Sequence, residues 1–194
     1  MKIGVLYEGK FDDRAIKRII IKIILQKYPR VDPADIVFVT KSGGGNIEGH
    51  IYPATSLFFV ANNCDCAIYI SDTDNGATSV RKKMQRVAAK VKKAVEDLAR
   101  GARVVVACPK PELEQWFFGD ELTIKRVLEL PETEPLKYPE MAPKDRLTKL
   151  IFDYNSYLLT PVEIYEKIAS HLDLAKLDDH RSFRKFRLEL LSNI

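Results

Sequence analysis

Over its first 110 residues the chain alternates short apolar runs with stretches of helical spacing. Lys2 to Tyr7 is an apolar run of strand length that ends at Glu8-Gly9. Asp12 or Asp13 then caps a helix whose Ile16, Ile19, Ile20, Ile23 and Ile24 recur at helical steps, and Tyr28-Pro29 closes it. Asp35 to Thr40 reads as a second buried strand, followed by Ser42-Gly43-Gly44-Gly45-Asn46. Residues 51–62 predict a mostly buried helix with Pro53 in its first turn. A third strand begins at Cys66, runs into Asp72-Thr73-Asp74 and breaks at Asn75-Gly76. The longest helical pattern covers residues 77–100, where Val80, Met84, Val87, Val91, Val95 and Leu98 recur at steps of three and four, and Gly101 stops it. Arg103 to Ala107 is a fourth strand, leading into Cys108-Pro109-Lys110-Pro111.

Four apolar strands separated by helices predict an α/β fold: right-handed crossovers and a parallel four-stranded sheet covered on both faces. Past Glu112 the pattern becomes helical. Four prolines between Pro131 and Pro143 predict an extended loop, with further helices near residues 144–154, 161–171 and 182–191. The expected organisation is an α/β domain over residues 1–120 and a helical extension over residues 121–194 packed on it.

Composition narrows the class without naming a function. The 194 residues suit one domain with a small appendage, and 46% apolar content supplies a substantial core. A net charge of +4 and a pI near 8.8 permit a polyanionic partner without demanding one. The three cysteines, Cys64, Cys66 and Cys108, have no histidine near them in sequence, which argues against zinc. No apolar run reaches the length of a membrane span, and Met1 to Tyr7 is too short for a signal peptide, so a cytoplasmic, reducing location is expected.

The candidate chemistry is acidic. Asp72 and Asp74 are two apart in extended chain and so share a side; converging carboxylates repel, and a divalent cation relieves that repulsion. The alternative is a strand end followed by an ordinary Asp-Asn-Gly turn. Ligands of open parallel sheets sit beyond the carboxyl ends of the strands. Glu8 ends the first strand, Asp72 and Asp74 the third, and Glu112 and Glu114 follow the fourth. Such a set of oxygen donors suits Mg²⁺ or Mn²⁺. The glycine cluster lacks the Gly-Lys-Ser/Thr ending of a nucleotide-binding loop. The 77–100 helix carries Arg81, Lys82, Lys83, Arg86, Lys90, Lys92, Lys93 and Arg100 against Glu96 and Asp97, and Arg184 and Lys185 lie between Phe183 and Phe186. These cations are either a solvated face or phosphate contacts; Arg81, Lys82, Arg86, Arg184 and Lys185 are the candidates for nucleic acid.

Glu8-Gly9 after the first strand with Asp72-Thr73-Asp74 after a later one resembles the Toprim (topoisomerase–primase) domain. The string Tyr7-Glu8-Gly9-Lys10-Phe11-Asp12 resembles its branch related to OLD-family nucleases. Residues 111–120, Pro-Glu-Leu-Glu-Gln-Trp-Phe-Phe-Gly-Asp, and 182–186, Ser-Phe-Arg-Lys-Phe, resemble a small stand-alone Toprim-like family. The resemblance implies a Toprim-like, Rossmann-like sheet with a Mg²⁺-dependent site for phosphodiester chemistry on DNA or RNA. It implies Asp72 and Asp74 as metal ligands, Glu8 as ligand or catalytic acid/base, and Asp12 and Glu114 as further ligands. A nuclease is the leading expectation. The alternative is a non-catalytic module of the same fold that partners a separate ATPase.

Overall fold

The computed structural model of the chain describes residues 1–8, 13–41, 47–71, 77–107, 113–154 and 159–192. The four apolar runs become β1 (Ile3–Glu8), β2 (Ile36–Lys41), β3 (Cys66–Ile70) and β4 (Arg103–Ala107). They form one all-parallel sheet in the order β2-β1-β3-β4. Ile3 pairs with Ile36 and with Cys66, and Cys66 with Arg103, so the strands start level. They end within one residue of one another, with Tyr7 beside Ile70 and Ile70 beside Ala107. β1 and β2 run one residue past their apolar stretches, to the paired Glu8 and Lys41, because the backbone ladder continues whatever the side-chain polarity.

Alternation along the strands sends side chains to two faces. On one, Leu6, Ala67 and Tyr69 join Ile51, Ala54, Phe58, Val87, Val91 and Ala94 in a single core, with Val37, Val39, Val104 and Val106 packed against it. On the other, Ile3, Val5, Tyr7, Ile68, Ile70, Val105 and Ala107 are also buried. Burial of both faces is why the strands read as unbroken apolar runs rather than alternating ones.

The helices follow from the strand order. α1 (Asp13–Lys27) connects β1 to β2 in one direction across the sheet; α2 (Ile51–Thr55) and α3 (Ala77–Leu98) connect β2 to β3 and β3 to β4 in the other. Right-handed crossovers then place α2 and α3 on one face and α1 on the opposite one. The expected single helix over residues 51–62 is α2 followed by a π-helical turn, Ser56–Ala61. The Asn62 amide donates to the Leu57 carbonyl five residues back at 3.0 Å, the wider loop that defines this turn. The turn keeps Phe58 fully buried while Leu57 and Val60 face outward.

By compactness the chain divides into two units that are not contiguous in sequence. One comprises Met1–Lys10, Ile21–Lys110 and Lys185–Ile194, the other Phe11–Ile20 and Pro111–Arg184. The second unit is helical: α4 (Leu113–Phe117), a 3-10 turn (Phe118–Asp120), α5 (Glu121–Val127), α6 (Pro143–Tyr154), α7 (Pro161–His171), α8 (Leu174–Leu177) and the start of α9 (Arg181–Ser192). Its aromatic core sets Trp116 edge-on to Phe183 at 5.2 Å and Phe117 edge-on to Tyr165 at 5.7 Å. Thr160 and Glu163 form a reciprocal cap at the start of α7, with Pro161 behind the cap. Among the described residues, no helix is long and apolar enough to cross a membrane.

Candidate functional site

In a sheet ordered β2-β1-β3-β4 the direction of winding reverses between β1 and β3, and the crevice at such a reversal is where parallel sheets bind ligands. The two strands meeting there are the two that lead into the acidic residues. Glu8 is the last residue of β1. Ser71 directly follows β3, is fully buried, and donates its amide to the Ala107 carbonyl of β4 at 3.1 Å. Asp72 is the next residue in the chain. Extending the Tyr7–Ile70 register by one step brings Glu8 level with Ser71.

Two buried tyrosines support this edge from within the sheet. The Tyr7 hydroxyl accepts a hydrogen bond from Thr40 at 2.8 Å, and its ring meets Phe38 edge-on. On the other face the Tyr69 hydroxyl lies 2.7 Å from Thr55 Oγ1, which itself donates to the Ile51 carbonyl at 2.7 Å. Burial pushes the Tyr69 phenol up to about 12, against the opposing hydrogen bond from Thr55. The Tyr69 bond ties α2 to the sheet and the Tyr7 bond ties β1 to β2. Sequence reading passed over them, because a tyrosine within an apolar run gives no sign of its partner.

Residues 9–12, 42–46, 72–76 and 108–112, which follow the four strands, lie outside the described residues. So do the predicted ligands Asp12, Asp72 and Asp74, and the side chains of Glu8 and Arg81. Among the described residues, no three His, Cys, Asp or Glu side chains gather closely enough to hold a metal ion. Cys64 and Cys66 sit at the amino end of β3, the far end from Glu8. Burial raises both thiols, that of Cys66 to about 11, with Arg103 opposing. The two described thiols are thus at the opposite end of β3 from Glu8, while Cys108, which follows β4, lies outside the described residues.

Glu114 is placed on α4 in the helical unit. It is buried, and one of its carboxylate oxygens accepts from the Tyr165 hydroxyl at 3.3 Å. In the same unit Trp116 Nε1 donates to Ser182 Oγ at 3.0 Å, so the Glu-x-Trp pair is built into the packing around Phe183 and Tyr165.

The candidate cations differ in their engagement. Lys82 is exposed on α3. Arg86 and Lys90, one turn apart on α3, both reach Glu48, at 3.2 and 2.8 Å; the Glu48 side chain is 8% exposed while theirs are more than half exposed. Arg184 donates to the Asp178 carbonyl at 2.7 Å, and Lys185 pairs along α9 with Glu189 at 3.5 Å. Lys83, Lys92 and Lys93 continue the basic surface of α3, with Lys92 loosely paired to Glu96 at 3.8 Å.

One buried charge was missed by sequence reasoning. Asp120 is 2% exposed and accepts from Lys176 Nζ at 2.8 Å, Thr123 Oγ1 at 2.8 Å and the Asp173 amide at 3.1 Å. Burial alone would raise its carboxyl, but these three donors outweigh burial and hold it below the ordinary carboxylate range. In sequence it closed the 111–120 string and gave no sign of these partners.

Comparison with protein-family models, with curated proteins and with solved structures finds no match.

Proposed function

We propose that the chain is a nuclease, or a related phosphotransfer enzyme acting on DNA or RNA, with Mg²⁺ or Mn²⁺ held by Asp72, Asp74 and Glu8. The observation that supports this reading is the strand order. It makes β1, which ends in Glu8, and β3, which leads into Asp72 and Asp74, neighbours at the one reversal point of the sheet. The donor chemistry fits a hard cation: carboxylates are offered at this edge, and the described thiols stand at the opposite end of β3.

When bound, the cation supplies Lewis-acid polarisation of the phosphodiester and neutralises its charge. Asp72 and Asp74 bind it. Glu8 takes or returns the proton at the reacting oxygen, anchored by a strand that pairs on both sides. The exposed cations of α3, a helix that begins just past Asp74, meet the phosphates of a bound strand.

The test is cleavage of labelled single-stranded DNA, duplex DNA and RNA in Mg²⁺, in Mn²⁺ and in EDTA. Metal-dependent cleavage is expected, abolished by Asp72→Asn and Asp74→Asn and strongly reduced by Glu8→Gln, each variant keeping the wild-type circular dichroism and melting curve. Absence of cleavage from the wild-type chain on every substrate and metal overturns the proposal.

A further inference from the structure

The helical unit carries a surface that the metal site does not explain. Phe152, near the end of α6, is 66% exposed, the most exposed large apolar side chain among the described residues. Lys149 Nζ lies 5.2 Å from the centre of its ring and 5.8 Å from that of Tyr138. Lys137 Nζ lies 5.0 Å from the centre of the Tyr154 ring. Asp153 ties the group together, accepting from the Tyr138 hydroxyl and from Lys149 at 2.8 Å. Three rings and two ammonium groups against one carboxylate make an aromatic surface with a net positive charge.

This surface is held in place. Leu136, next to Lys137 in the chain, is buried. Arg146, stacked 4.4 Å over the Phe118 ring, donates to the Leu136 and Lys137 carbonyls at 3.1 and 3.0 Å and to Glu121 at 3.3 Å. Tyr138 itself has φ of +60°, a left-handed backbone that a bulky aromatic residue rarely adopts. Its carbonyl accepts from the Met141 amide at 3.2 Å, closing a turn that fixes this conformation. Strain of this kind persists where the surroundings over-determine it, and functional surfaces are where it concentrates. Here it presents the Tyr138 ring on the same side as Lys149.

We infer that Tyr138, Phe152 and Tyr154, with Lys137 and Lys149, form a docking platform for a short stretch of single-stranded nucleic acid. The exposed Phe152 ring, flanked by the half-buried Tyr138 and Tyr154 rings, stacks unpaired bases, which all have an aromatic face, and the cations beside the rings meet the phosphates between the bases. Charge complementarity selects this occupant, since two ammonium groups against one carboxylate favour a polyanion over an apolar protein surface. Asp153 competes with a phosphate for Lys149. Its removal is therefore expected to strengthen binding, a direction that a merely structural network does not predict.

The platform shares a class of ligand with the proposed function but rests on different residues, and the test runs in EDTA, so either reading can fail while the other stands. Anisotropy is measured on the full chain with labelled oligo(dT), oligo(U) and a duplex of equal length. Phe152→Ala is expected to weaken binding of the single strands on the order of tenfold and to change duplex binding little. Lys137→Gln and Lys149→Gln reduce the salt dependence, and Asp153→Asn tightens binding. The two oligonucleotides tell DNA from RNA. Because Phe152 is exposed, its variant keeps the wild-type melting curve. Wild-type chain that binds neither oligonucleotide, Phe152→Ala that binds them as wild type does, or equal loss on the duplex overturns the inference.

Discussion

The Phe58 ring lies against the backbone of Gly4. A Cβ built on Gly4 would fall 2.6 and 2.7 Å from Phe58 Cδ1 and Cδ2, and nearer still to Cγ. Both residues belong to the face of the sheet covered by α2, the π-helical turn and α3. The fit is a matter of space, since the ring occupies the volume that any side chain at position 4 would need.

Gly4→Ala is therefore expected to destabilise the protein by about 1–3 kcal/mol, the usual penalty for forcing extra volume into a packed core. Phe58→Leu vacates part of that volume. In urea unfolding, the double variant should lose less than the sum of the two single losses, a coupling expected between residues in contact. Additive losses would show that the ring moves aside easily.

Asp120 makes stability depend on acid. Its folded carboxyl is held below the unfolded value near 3.8, so its contribution is complete above that pH and is lost as pH falls through the folded value. Asp120→Asn should flatten the acid side of the stability–pH curve. It should also cost about 1–3 kcal/mol at pH 7, because Lys176, Thr123 and the Asp173 amide lose a charged acceptor. A variant whose acid unfolding midpoint matches wild type would mean that other carboxylates set that limb.

Glu48 restrains two cations of α3, Lys90 and the nucleic-acid candidate Arg86. Its carboxylate holds Arg86 and Lys90, so a phosphate reaching either must displace it. Glu48→Gln should raise affinity for a duplex and steepen its salt dependence by roughly one released counterion per freed cation. Arg86→Ala in the same background should remove part of that gain. If Glu48→Gln binds with unchanged affinity and slope, this stretch of α3 is a solvated face and the phosphate contacts lie elsewhere.

Much of the fold could be read from the chain. Ile3 to Tyr7, Ile36 to Thr40, Cys66 to Ile70 and Arg103 to Ala107 are apolar because both faces of the sheet are buried, and they are separated by helical periods. That pattern determines four parallel strands. It does not determine their order, which depends on the edge to which each crossover returns. The reversal between β1 and β3 thus became visible only in three dimensions, although the acids beside it were plain in sequence.

The π-helical turn was hidden for a related reason. Residues 51–62 have apolar spacing that one regular helix would satisfy, whereas the turn that forms packs Phe58 over Gly4, on a strand 54 positions earlier in the numbering. Asp120, Tyr69 and Glu48 were silent in the same way: each looks like an ordinary residue until Lys176, Thr55 or Arg86 arrives from elsewhere in the chain. The sequence by itself determined the four strands and the longer helices, and it showed which carboxylates and lysines the chain has to offer. Tertiary structure decided which of those groups became neighbours, because apolar periodicity is a local property whereas strand order and long-range polar pairing depend on how distant segments pack.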